Sequence, residues 1–219
     1  MMTILTALIF SLFTFCCGQD SSSKSVTADR ILTDTSLIPK DSSAFYFPLN
    51  TSNDTFKNVR LDSFLVKWYS EQLFALREPI IYSDNSQNEI YRFTWLRTFH
   101  NPIAVRIERH GDNYFLYWKL SNGAGGYSPG KLMIDKHRVL EKSTWEEFVS
   151  KLNQIDFWNM ATKQNDMGND GSEWILEGKS AGKYHVVDRW TPSKDSKYYE
   201  CCDFLLSLTD LKITGRDKY

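Results

Sequence analysis

The stretch Trp174-Ile175-Leu176-Glu177-Gly178-Lys179-Ser180-Ala181-Gly182-Lys183-Tyr184-His185-Val186-Val187-Asp188-Arg189-Trp190 sets two runs of aromatic and β-branched residues around a glycine. Side chains in a strand alternate between faces, so two such runs joined by a short glycine-bearing link read as a β-hairpin. Ser180-Ala181-Gly182 reads as a three-residue loop with Gly182 in the left-handed position. This register opposes Lys179 to Lys183, Glu177 to His185, Ile175 to Val187 and Glu173 to Arg189. One face then carries Trp174, Leu176, Tyr184, Val186 and Trp190, and the other carries two opposite-charge pairs flanking Ile175 and Val187. A slip that set Glu173 against Asp188 would oppose like charges, which argues for the first register.

Upstream, the same alternation recurs. Tyr91, Phe93 and Trp95 share one parity, with Arg92 and Thr94 on the other. Ile103, Val105 and Ile107 alternate with Arg106 and Glu108; after the turn at Gly111-Asp112-Asn113, Tyr114, Leu116, Trp118 and Leu120 follow. These are short antiparallel strands, expected to keep one wet side. Helical spacing appears in Leu61–Arg77, with Gln72 interrupting the stripe and Pro79 as the stop. Trp145, Phe148, Val149, Leu152 and Ile155 form a stripe behind Ser143-Thr144-Trp145-Glu146, which reads as a capping box. A last helix is expected over Tyr198–Lys212, burying Cys202, Leu205, Leu206 and Leu208. The expected fold is α+β: a single domain in which an antiparallel sheet, a meander plus the later hairpin, packs against two or three helices.

A chain of 219 residues with 42% hydrophobic content can fill one core of this kind. Its 26 basic and 27 acidic residues leave a formal charge of −1, and no Lys/Arg tract stands out, so nucleic-acid binding is not expected. Residues 1–15, MMTILTALIFSLFTF, are apolar and uncharged. They are too short to span a bilayer comfortably and fit a secretory signal better. Cys16-Cys17-Gly18 and a Ser-rich stretch follow. A Leu- and Phe-rich run ending at cysteine resembles the lipobox of bacterial lipoproteins, and that resemblance makes Cys17 the lipidated residue. The organisation expected is a signal peptide over 1–16, a flexible tether over 17–57 and a globular α+β domain over 58–219. The protein would then be lipid-anchored at the cell envelope, facing the periplasm or exterior; cleavage without lipidation would make it secreted and soluble.

Gly125-Gly126-Tyr127-Ser128-Pro129-Gly130-Lys131-Leu132 matches both G-x-S-x-G and most of a phosphate loop. A phosphate loop needs Ser or Thr after the lysine and a helix behind it, and here Leu132 stands there. A hydrolase elbow needs the N–H of the residue after the serine, and Pro129 has none. The glycines therefore read as a bend, able at most to offer a backbone concavity to an anion. His100, His110, His137 and His185 show no metal spacing, and no metal or cofactor is expected. Cys201 and Cys202 are adjacent on a helix and cannot bridge, so they read as small core residues.

The binding candidates are Arg97, His100, Glu177, His185, Asp188, Arg189 and Trp190. Arg97 leads, because it falls on the aromatic parity of Tyr91, Phe93 and Trp95 and must pair inside or sit at the sheet margin. Glu177 or Asp188 beside His185 is the pattern that would make an enzyme of the hydrolase type; without a nucleophile next to them, a cross-strand ion pair is the simpler reading. Together, Tyr91-Arg92-Phe93, Leu96-Arg97-Thr98-Phe99-His100, the GGYSPGKL stretch and Asp170-Gly171 with the hairpin resemble a family of uncharacterised bacterial proteins. That resemblance implies a bacterial source and carries no activity. The function expected is that of an envelope-anchored binding or accessory module acting through its aromatic, arginine-bearing sheet face on a protein or small-ligand partner.

Overall fold

The computed structural model describes residues 37–49, 61–164, 168 and 170–214; the expected signal peptide, Cys17 and much of the expected tether lie outside them. Strands Glu89–Arg97 (β1), Ile103–His110 (β2), Asn113–Ser121 (β3), Leu132–Leu140 (β4), Ser172–Ser180 (β5) and Lys183–Trp190 (β6) form one antiparallel sheet in the order β4-β3-β2-β1-β5-β6. The meander β1–β4 and the hairpin β5–β6 thus join along β1. Three helices complete an α+β architecture: Ser63–Ala75 (α1), Lys142–Gln154 (α2) and Lys197–Ser207 (α3).

One face of the sheet is aromatic. Tyr91, Phe93 and Trp95 of β1 lie beside Trp174 and Leu176 of β5, and α2 and α3 bury them with Trp145, Phe148, Leu152, Tyr198, Cys202 and Leu205. Trp174 is 5.1 Å from both the Phe93 and Trp95 rings, within the range where tilted rings attract. Cys201 and Cys202 are buried, and burial pushes the Cys201 thiol up to about 12, as suits a small core residue. Gly178 is required here, since a side chain would stand 2.4 Å from the Tyr91 ring.

The helices differ from expectation at their ends. In α1, the Asp62 carboxylate accepts the Leu65 N–H at 2.9 Å, an N-cap bond. The buried polar interruption, Gln72, is inside the protein and donates to the Gly125 carbonyl at 3.3 Å. In α2 the cap is Glu141 rather than Ser143, and no side chain caps it. The buried Leu140 ends β4 and passes the chain directly into the helix, so the capping box does not form. Helix α3 begins after Ser196, which accepts from Tyr199 N–H, and ends at Ser207, short of the expected Lys212.

The hairpin register also differs. Ser180 pairs with Lys183, Gly178 with His185, Leu176 with Val187 and Ile175 with Asp188, one residue away from the expected pairing. The loop has two residues, Ala181 at φ 49° and Gly182 at φ 74°. Two successive positive φ angles match the right-handed twist of the strands, the reason such turns prevail in hairpins. Burial on both faces selects this register: Trp174, Leu176 and Val187 go under α2 and α3, while Ile175 and Val186 go under α1.

The second face is not wet. Tyr46, Phe47, Leu61, Val66, Tyr69 and Leu73 cover it, so residues 37–49, within the expected tether, include core side chains. Beneath this cover Arg92 and Arg106 stand directly opposite each other on β1 and β2, both buried. Glu78, from the segment after α1, lies 3.3 Å from Arg92, 2.9 Å from Arg106 and 3.4 Å from Lys119. Glu177 accepts from Arg92 Nε at 2.8 Å and from the Tyr184 hydroxyl at 2.8 Å, and Glu108 pairs with Arg106. Three carboxylates therefore balance three cations. Burial alone would raise the Glu78 carboxyl, but Arg106, Lys119 and Arg92 outweigh it and hold it near about 2.

Candidate functional site

β1 ends at Arg97, and the chain turns through residues 98–101 into β2, with His100 N–H donating to the Arg97 carbonyl at 3.3 Å. Arg97 keeps the parity of Trp95, so its guanidinium lies over that indole at 4.3 Å and donates to the Asn101 carbonyl at 3.0 Å. Only 5% of the residue is exposed. Arg97 therefore sits at the sheet margin, where the aromatic layer meets a cleft of about 410 Å³.

Arg97 and His100 form part of the wall of this cleft, with Lys136, Asp210 and Lys212. Ile103, Leu120, Ile134 and Leu211 give it an apolar lining. Asp210 accepts from Trp118 Nε1 at 2.8 Å and pairs with Lys136, which fastens the chain after α3 to β3 and β4. Those bonds hold the Asp210 carboxyl below the ordinary carboxylate range, the Lys136 contact contributing most. The cleft wall thus carries three cations, Arg97, Lys136 and Lys212, and one carboxylate already engaged by Lys136. A guanidinium offers a planar fork of donors suited to carboxylate or phosphate, and the low exposure of Arg97 strengthens such a bond. The volume lies within the range of small-molecule sites.

Of the sequence candidates, Arg97 and His100 come together here and the remaining five do not join them. Glu177 belongs to the buried ionic layer under α1. His185 lies on the opposite face, where its Nε2 donates to the Met160 carbonyl at 2.9 Å and its ring packs 5.2 Å from Phe157. The expected Glu177–His185 pair is thereby overturned, since pairing with Gly178 places the imidazole across the sheet from both Glu177 and Asp188. Burial also lowers the His185 pKa, where a carboxylate partner would have raised it.

Asp188 accepts from the Tyr69 hydroxyl at 2.9 Å and meets Lys163 at 3.1 Å. Arg189 is committed to the Thr162 and Ala161 carbonyls, at 3.1 and 2.8 Å. Trp190 closes over Gly171, where a side chain would stand 2.7 Å from the indole. Arg92 and Arg106, read as part of a solvated basic strand face, are instead interior.

The glycine-rich stretch joins strand β3 to strand β4 and opens no helix. Its amides are used internally: Gly125 N–H donates to the His100 carbonyl at 3.0 Å and Gly126 N–H to Thr98 at 3.2 Å. The expected anion concavity therefore loses two of its donors. At Gly125 a side chain would stand 2.7 Å from the Arg97 backbone, so close approach to the β1–β2 turn explains that glycine.

Lys136, Asp210 and Lys212 escaped the sequence reading. Lys136 lies on β4, whose exposed run Asp135-Lys136-His137-Arg138 hides the alternation of Leu132 and Ile134. Asp210 and Lys212 fall in residues assigned to a helix that stops earlier. Among the described residues, no group of three His, Cys, Asp or Glu side chains could hold a metal ion, and no helix is long and apolar enough to cross a membrane. No protein-family model matches the chain, and no curated protein matches it.

Proposed function

We propose that this protein is a binding module held at the cell envelope through lipidated Cys17, and that the Arg97–His100 cleft receives an anion bearing an apolar portion. One observation carries the reading: an almost fully buried arginine at the margin of the aromatic layer borders a cleft with apolar lining and a cationic rim. An apolar tail would cover Ile103, Ile134 and Leu211 while the carboxylate or phosphate meets the guanidinium. The hydrolase alternative built on His185 has less support, because neither Glu177 nor Asp188 shares the face of the imidazole.

Dodecanoate and dodecyl phosphate are suitable probes, with dodecanol as the neutral control. Both anions should bind in isothermal titration, and Arg97→Met should weaken them about tenfold or more, the worth of a hydrogen bond to a charged group. Equal affinity for dodecanol, or no change in Arg97→Met with its melting curve intact, would overturn the assignment of the cleft. For the anchor, Cys17→Ser should move the protein out of the membrane fraction and abolish labelling by a fatty-acid probe. Unchanged fractionation of that variant would remove the lipoprotein part of the proposal.

A further inference from the structure

A second cleft, of about 370 Å³, opens on the other side of the β1–β2 turn, between α1 and the glycine-rich loop. Phe64, Lys67, Trp68 and Glu71 line it from α1, and Gly126 and Tyr127 from the loop. The four α1 residues are spaced at i, i+3, i+4 and i+7, so they form one stripe of the helix, outside its buried stripe of Leu65, Val66, Tyr69 and Leu73. Phe64 is 72% exposed and Tyr127 68%, and Phe99, also exposed, stands 5.9 Å from the Tyr127 ring. Clustered exposed aromatic rings on a folded domain mark a recognition surface more often than scattered apolar residues do.

The Trp68 ring and the backbone that carries Tyr127 are held in place. Trp68 Nε1 donates to the Gly125 carbonyl at 3.0 Å, tying the helix to the loop. Gly125 and Gly126 donate to the β1–β2 turn, and Tyr127 N–H closes onto the Ala124 carbonyl at 2.9 Å. A side chain at Gly126 would stand 3.0 Å from Thr98, so the loop lies against the turn and Tyr127 stands out from a fixed base. The backbone of the surface is preorganised, which lowers the ordering entropy lost when a ligand lands on it.

The polar groups define the ligand. Lys67 and Glu71 are exposed, one turn apart, and among the described residues neither side chain makes an ion pair or hydrogen bond. Together they offer one cationic donor and one anionic acceptor with no net charge. An anionic ligand would meet Glu71, a cationic one Lys67, and a purely apolar one would use neither. A neutral polyhydroxylated ligand satisfies both at once. Its ring C–H bonds also suit the negative faces of the aromatic side chains.

We propose that this cleft is a carbohydrate-binding site for a neutral oligosaccharide, with pyranose rings stacked on Tyr127, Phe64 and Trp68 and hydroxyls bonded to Lys67 and Glu71. The site is separate from the Arg97–His100 cleft. Pentasaccharides of β-1,4-linked glucose and of β-1,4-linked N-acetylglucosamine serve as probes in isothermal titration of the full chain. At least one should bind saturably, at or below about millimolar Kd. Tyr127→Ala and Phe64→Ala should each weaken it about fivefold or more, and Tyr127→Phe should retain most of the affinity, since stacking needs the ring and not the hydroxyl.

Glu71→Gln should weaken binding less than either ring deletion. Both ring variants should keep the parent melting temperature, because the side chains are exposed. Arg97→Met should leave sugar binding unchanged, which separates this site from the anion cleft. Absence of saturable binding to either pentasaccharide up to about 10 mM overturns the proposal. So does affinity unaffected by Tyr127→Ala, or preferential binding of a proline-rich peptide, the other ligand suited to aromatic grooves.

Discussion

Glu78→Gln is expected to destabilise the protein by about 3–5 kcal/mol, the cost typical of removing one partner from a buried charged set. The substitution keeps shape, removes the charge and turns one of the two acceptor oxygens into an NH2 donor facing cations. Arg92, Arg106 and Lys119 would then lack the carboxylate they share, and the two arginines face each other across β1 and β2. The pH dependence gives the sign. The Glu78 carboxyl is held near about 2 in the folded protein, below its ordinary value of 4.5. Its contribution is therefore complete above about 4.5 and disappears as pH falls toward 2.

Denaturant unfolding of parent and variant should show a gap that is widest at neutral pH and closes through this acid window. Arg106→Met added to Glu78→Gln should recover part of the loss, because it removes a cation left without balance. A gap below about 1 kcal/mol at pH 7 would mean that the layer relaxes or admits water, against the burial of all three partners.

Glu173→Gln is expected to act in the opposite direction and to stabilise the protein in alkali. Glu173 and Asp188 are both buried on the α1 face, and among the described residues Glu173 Oε2 and Asp188 Oδ1 have no donor. A protonated Glu173 carboxyl donating to Asp188 supplies it. Burial first, and then the Asp188 charge, push the Glu173 carboxyl up to about 8. Lys163, 3.7 Å from Glu173 and 3.1 Å from Asp188, opposes that rise but does not cancel it; Tyr69 donates to Asp188, and Asp62 acts on Lys163 from the start of α1.

A folded pKa above the unfolded one favours the folded state fully below about 4.5, and the benefit is lost as pH rises through about 8. Glutamine mimics the protonated acid at every pH and can donate to Asp188. The gain should be about 2–4 kcal/mol at pH 8 and should shrink toward nothing near pH 4.5. If the parent's loss of stability between these pH values persists in Glu173→Gln, the proton belongs elsewhere.

The architecture was readable because the aromatic parity of β1–β3 and the stripe of α2 each have one strong period. The hairpin shows where the pattern failed. Its strands are buried on both faces, so apolar alternation could not choose between registers one residue apart, and charge pairing was used instead. That criterion assumed a solvated face, where Glu173 near Asp188 would repel. Buried, with Glu173 protonated, the two carboxyls sit on the same face. The same assumption hid the ionic layer: Arg92, Arg106 and Glu108 read as solvent-facing because nothing local announces that α1 and residues around Tyr46 lie over them. Arg97 was found because its parity conflicted with its charge. Lys136, Asp210 and Lys212 are brought to it by tertiary contact between β4 and the segment after α3, which leaves no local trace.

A sheet with an aromatic layer on one side and an ionic layer on the other also has two opposed thermal signatures. Apolar surface exposed on unfolding raises the heat capacity, whereas polar surface lowers it. The buried charges set beside the apolar residues of the face beneath α1 therefore flatten the curve of stability against temperature. The cost of keeping ions away from water also falls on heating, because their hydration is entropically unfavourable. The half of the molecule built on Glu78, Arg92 and Arg106 gains relative to the aromatic half as temperature rises.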